Sequence, residues 1–394
     1  NEFAQFDLTL LDSNKKKITI YKLQSDQQWP YIVNFEIPLL EPATKYYIKL
    51  GLKSDNIKLP DLLTFKTQKV WKWRGDAPDF RFAAGSCLYT NQKEHDRPGT
   101  PYGDTLTDIF NEILKKNPEF FLWLGDNIYL RETDWNSYSG IIARYMHTRM
   151  SPILYPFLFS LPQYATWDDH DFGPNNADRS LANKNYTKKA FDLFWANANT
   201  SIIDGQSICS YFQWYDADFF LLDDRWFRTP NDSKDPNKTI LGQAQIQWIK
   251  EALLNSKAKF KFVAVGSQFL NPGDGSENFI GVPDERQDII SYIYQYKIKN
   301  VVFLTGDRHH SEISVLEEEG HPRILDLTIS PLSSGVHKGA EKENNPLRKA
   351  GSMFNSERNF GVIDIKGNRK ERKLVYSLFD KSGKLVYEFS FDAQ

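Results

Sequence analysis

Residues 119–129 read EFFLWLGDNIY. Five apolar residues run without interruption from Phe120 to Leu124 and then stop at Gly125, Asp126, Asn127 and Tyr129. A short apolar run with no alternation predicts a strand covered on both faces, as in a parallel sheet packed between other layers. The same form recurs along the chain. FRFAAGSC ends at Cys87, and YATWDDHD ends in Asp168, Asp169, His170 and Asp171. FFLLDDR ends in Asp223, Asp224 and Arg225, and VVFLTGDRHH ends in Asp307, Arg308, His309 and His310. In α/β sheets ligands sit beyond the carboxyl ends of the strands, so these five clusters are expected to converge on one site.

Helix-periodic segments separate the strands at 104–117, 135–149, 185–198, 242–255 and 284–297; the first places Leu106, Ile109, Phe110, Ile113 and Leu114 on one face. Alternating strands and helices predict an α/β domain over 80–394. Its last part, from ISVLEEE (313–319) to KLVYEFSFD (384–392), reads as strands only and is expected to close a second sheet. Residues 1–67 carry strand-like runs, PYIVNFEI among them, separated by Pro, Asn, Asp and Ser. In LEPATKYYIKL (40–50), Tyr46 stands where a tyrosine corner would stand, so a small β-sandwich of fibronectin III or immunoglobulin type is expected, with 68–79 as its linker.

Bulk composition narrows the partners. Lys+Arg number 49 and Asp+Glu 51, a formal net charge of −2, which offers no footprint for nucleic acid. No apolar run approaches the ~18 residues of a transmembrane helix, and the segment opening at Asn1 does not read as a signal peptide. Two cysteines exclude a disulfide framework.

The mixture of polar groups at the strand ends suggests metal. Asp and Asn oxygens suit hard cations, imidazole suits transition metals, and a thiolate needs a metal that keeps it deprotonated. A phenol with a pKa near ~10 ionises only beside a strong Lewis acid such as Fe(III). A Ser-His-Asp hydrolase is disfavoured, because no G-x-S-x-G elbow is present.

The ordered set GSC (85–87), GDNIY (125–129), WDDHD (167–171), LLDDRWFRT (221–229), GQAQIQWI (242–249) and LTGDRHH (304–310) resembles the PhoD-like, or alkaline phosphatase D, family of metallophosphoesterases within the calcineurin-like superfamily. The resemblance implies two central mixed β-sheets flanked by helices. It also implies metal-dependent hydrolysis of small phosphate esters by a metal-activated hydroxide, in an extracytoplasmic setting. Its expected metals are one iron, as Fe(III), and one or two Ca2+ ions. The implied ligands are Cys87, Asp126 as a bridge, Tyr129, Asp169, Asp307 and His309, with Asn175 or Asn176 as a further calcium ligand. His170 is expected to assist the leaving oxygen. Arg225 is read as a phosphate clamp or as an ion pair with a neighbouring Asp, and Arg308 as facing substrate or solvent. By strand alternation His310 points away from His309 and is expected not to be a ligand of that centre. A phosphodiesterase or phospholipase D-type enzyme on the same metals, and a non-catalytic phosphate- or glycan-binding protein, are the alternatives.

Overall fold

A computed structural model of the chain describes residues 5–26, 29–51, 61–104, 108–198, 202–203, 205–273 and 277–394. Leu106, expected on the first helix, lies outside them. Strands β1 (Gln5–Leu11), β2 (Lys17–Gln24), β3 (Lys45–Leu50) and β4 (Leu63–Lys66) form an antiparallel sheet in the order β2-β1-β3-β4. Tyr46 on β3 is buried, and its hydroxyl accepts the Glu41 N–H at 2.8 Å. Among the described residues this is one sheet, not the two of a sandwich. PYIVNFEI forms no strand, because Pro30 and Pro38 lack N–H groups and Tyr31 and Leu39 adopt left-handed backbone, φ 62° and 58°.

Two six-stranded sheets follow. Parallel β5 (Phe80–Gly85), β6 (Phe121–Leu124) and β7 (Gln163–Thr166) are extended by antiparallel strands in the order β16-β15-β14-β5-β6-β7. The second sheet contains β8 (Ser210–Trp214), β9 (Ala217–Leu221), β10 (Phe260–Ala264), β11 (Val301–Thr305), β12 (Glu312–Leu316) and β13 (Ile324–Thr328), in the order β12-β13-β11-β10-β9-β8. The strand-only end of the chain does not close one sheet, as expected. It divides: β13 runs parallel to β11, whereas β14 (Asn359–Lys366) crosses to pair with β5 and is followed by β15 (Lys373–Asp380) and β16 (Leu385–Asp392).

The two sheets stack face to face over a core of aromatic and aliphatic side chains from both. Phe82 is fully buried at its centre, stacked 5.0 Å from Phe120 and edge-on to Phe219 and Phe262. Outside the first sheet lie α1 (Ile109–Lys115), α2 (Tyr138–Arg149), α3 (Tyr155–Leu158), the single turn α4 (Asp169–Phe172) and α5 (Lys184–Phe194). Helices α6 (Gln243–Asn255) and α7 (Pro283–Gln295) cover the second. The apolar strands are thus covered on both faces, which is why they read as continuous runs.

Candidate metal centre

The strand ends of the two sheets meet at a seam where there is no room for side chains. A Cβ on Gly306 would lie 2.5 Å from the Leu124 carbonyl oxygen, one on Gly266 would lie 2.6 Å from Asp168 Oδ2, and one on Gly125, at φ 93°, would lie 2.7 Å from Asp168 Cβ. Immediately beyond the seam the backbone turns left-handed at Cys87 (φ 61°), Asp126 (φ 53°), Asp307 (φ 59°) and His309 (φ 55°). Such a conformation costs a non-glycine residue roughly 1–2 kcal/mol. These turns bring Cys87, Asp126 and His309 into one group of side chains and Asp307 into a neighbouring one.

Three donor groups result, each with its ligand atoms within 4.8 Å of one another: Cys87, Asp126 and His309; Asp126, Asp169 and His170; and Asp168, Asp169 and Asp307. Asp126 belongs to two of them and Asp169 to two. The Tyr129 hydroxyl lies 3.1 Å from His309 Nε2, and the Tyr102 hydroxyl 3.0 Å from His309 Nδ1. The Cys87 sulfur lies 3.6 Å from Asp126 Oδ2 and accepts the Ser330 hydroxyl at 3.2 Å. His170 stacks on Tyr129, ring centres 4.2 Å apart, and its backbone N–H donates to Asp126 Oδ1 at 3.2 Å.

The electrostatics call for a cation. Burial, reinforced by Asp307, pushes the Cys87 thiol up to about 12. Burial and then Asp169 push Asp126 well above the usual carboxylate range and Asp307 up to about 7. Burial and the Asp126 charge raise Tyr129 well above an ordinary phenol. Asp169 is the exception: burial would raise it, but His170, Arg225 and the Asn176 N–H, 2.6 Å from Oδ2, hold it below the usual range. Buried Asp168 Oδ2 has no hydrogen-bond partner. A thiol, a phenol, an imidazole and three carboxylates crowded in this way fit metal ions, which would offset charges that otherwise repel.

The surrounding residues separate the readings left open by the sequence. Arg225 is fully buried, with Nε on Asp168 Oδ1 and Nη2 3.1 Å from Glu277 Oε2; the ion pair is what forms. Arg308 sits at the rim with its guanidinium 2.6 Å from Glu343 Oε1. His310 is buried and lies outside the three donor groups. Asn175 is exposed and donates to Asn176. Asp171 accepts the N–H groups of Asn127 and Ile128 at 3.1 and 3.2 Å, and so holds the loop that carries Asp126 and Tyr129. Tyr102, Ser330 and Glu277 were not singled out by sequence reasoning. Tyr102 and Glu277 left a signal, each in a loop rich in Gly, Pro and Asn (89–103 and 271–283); in the first, Asn91 and Gly103 exchange hydrogen bonds of 2.8 and 2.9 Å beside Tyr102.

The model of the PhoD-like phosphatase family matches residues 98–374. The chain belongs to this family. Alkaline phosphatase D of Bacillus subtilis (strain 168) is 26% identical over 333 residues, which cover 72% of this chain and 54% of the relative. The chain thus spans about half the length of that curated relative. A solved structure of PhoD superposes with a TM-score of 0.76 at 19% identity, covering 100% of this chain and 86% of that one. A purple acid phosphatase from yellow lupin (Lupinus luteus) seeds gives 0.64 at 11% identity, covering 99% and 70%. Both show the same fold. The family is one of phosphatases, and the fold is the one shared by these two solved structures. No helix among the described residues is long and apolar enough to cross a membrane.

Proposed function

We propose that this chain hydrolyses small phosphate monoesters with metal ions held by Cys87, Asp126, Tyr129 and His309 on one side and by Asp126, Asp169 and Asp307 on the other. The observation that carries this reading is the sharing of Asp126 between two donor groups, the arrangement expected of a carboxylate that bridges two ions. Thiol, phenol and imidazole suit Fe(III), and the carboxylates suit one or two Ca2+, with Asn175 as a further calcium ligand. When bound, the metals supply an activated water and positive charge for the phosphoryl oxygens.

The chain's own residues do the rest. Asp126 is held by the left-handed turn and by its contact with the His170 N–H. His170 is fixed against the Tyr129 ring and donates a proton to the leaving oxygen. Arg308 at the rim orients the phosphate. Arg225 acts indirectly, by fixing Asp168, whose side chain caps α4 and so positions Asp169. The calcium requirement favours an extracytoplasmic setting, where that ion is abundant; fractionation of the producing cells tests this, and an exclusively cytosolic enzyme would contradict it.

The alternative, a phosphodiesterase on the same metals, differs only in the ester it prefers. Turnover of p-nitrophenyl phosphate beside its bis-ester, with iron and calcium supplied and then chelated, separates the two. The monoester reading predicts chelator-sensitive preference for the monoester. Preference for the bis-ester contradicts it.

A further inference from the structure

The doubled histidine at 309–310 sends two imidazoles to different places. His309 joins the central cluster; His310 joins a separate group with His337 and Glu343, whose ligand atoms also lie within 4.8 Å of one another. His310 is fully buried, and its Nδ1 lies 3.0 Å from the Arg308 carbonyl oxygen. A carbonyl only accepts, so Nδ1 carries the hydrogen, and in the neutral ring Nε2 keeps its lone pair. Buried Nε2 makes no hydrogen bond; the Glu312 carboxylate, Oε1 3.7 Å away, pairs with it when the ring is protonated, so an ion bound here displaces that proton. An imidazole fixed through Nδ1–H to a backbone carbonyl, with Nε2 unfilled, is arranged as metal-binding histidines are. His337 stands beside it with its side chain 44% exposed, which leaves a way in from solvent, and its Nδ1 is 3.6 Å from Glu343 Oε1.

We propose that His310, His337 and Glu343 form an additional site for a divalent transition cation of the zinc class, next to the central cluster but distinct from it. Two nitrogens bound to one such ion at about 2.0–2.1 Å stand roughly 3.3 Å apart, so the group must close by up to about 1.5 Å. His337, half-exposed, is the member free to make that movement. Glu343 Oε1 also holds Arg308 at 2.6 Å, and Oε2 accepts the Asn271 amide at 3.3 Å. The cation therefore competes with the Arg308 ion pair and is bound less tightly than ions in the central cluster. Binding here needs no esterase activity, so this site and the catalytic reading stand or fall separately.

The test is calorimetric titration of metal-stripped protein with Zn2+. Wild type is expected to take up one equivalent more than His337→Ala, and Glu343→Gln to bind that equivalent at least tenfold more weakly. Cys87→Ser should retain it while losing binding at the central cluster. Equal uptake by wild type and His337→Ala overturns the proposal, as does loss of all Zn2+ uptake in Cys87→Ser. Nitrogen-15 spectra provide a second readout: zinc should shift the His310 Nε2 resonance, and a protonated Nε2 in the zinc-saturated protein would also overturn it.

Discussion

Replacing Gly306 by alanine probes the seam on which the centre is built. The added methyl would stand 2.5 Å from the Leu124 carbonyl oxygen, 2.7 Å from Ser86 Cβ and 2.8 Å from Ser86 Oγ. Such atoms do not approach closer than 3.0 Å, so the Leu124 contact alone demands a retreat of 3.0 − 2.5, half an ångström. Leu124 O is backbone at the end of β6, and no rotamer change removes it. Overpacking of this kind costs about 1–3 kcal/mol, and three simultaneous contacts place the cost near the upper end. At roughly 2 °C per kcal/mol for a chain of this size, the melting temperature should fall by about 6 °C. The retreat also separates Asp307 from Asp126, so metal per chain should fall in the variant measured below its transition. A Gly306→Ala protein with the stability and metal content of wild type would refute the close approach of the two sheets.

Other perturbations address single residues. Arg225→Met leaves the fully buried Asp168 without its cation, while Glu277 keeps Arg228 and Asn231, and should cost about 3–5 kcal/mol by urea denaturation; normal stability with a raised KM would instead restore the phosphate-clamp reading. Tyr102→Phe removes the hydroxyl at His309 Nδ1 and should weaken metal retention against a graded chelator by about 10–100-fold; unchanged retention would count against its role. Burial raises the Asp326 carboxyl to about 6 from an ordinary 3.8, against the N–H groups of Leu270 and Phe269 and the Thr305 hydroxyl. The native state then binds more protons than the unfolded chain between those values, so stability falls as pH rises through this window, by about 3 kcal/mol. Asp326→Asn can accept both N–H groups and donate to Thr305, so its stability relative to wild type should grow by that amount between pH 3.5 and 7. A difference independent of pH would show that the carboxyl is not perturbed.

The parallel strands were legible because burial on both faces leaves an unbroken apolar signature, and their polar ends marked Cys87, Asp126, Asp169, Asp307 and His309. Strand β8 was not, because SYFQW mixes Ser210 and Gln213 with aromatics and reaches β9 through a tight turn with Tyr215 at φ 48°. PYIVNFEI misled in the opposite direction, its strand propensity overridden by prolines and left-handed turns. In the centre, the fate of Arg225 depended on Glu277, 52 residues away, a separation that no local pattern encodes. His310 was placed away from the central cluster by alternation alone; its meeting with His337 and Glu343 required the tertiary fold.

The central claim is that the residues at the strand ends hold metals that hydrolyse phosphate esters. Elemental analysis of the purified chain, paired with its p-nitrophenyl phosphate turnover before chelation, after chelation and after reconstitution with iron and calcium, tests it most directly. Iron and calcium are expected in the active protein, with loss of both metal and turnover on chelation and joint recovery in wild type but not in Cys87→Ala or Asp169→Ala. Full turnover in metal-stripped protein, or full metal content and rate in either variant, would contradict it.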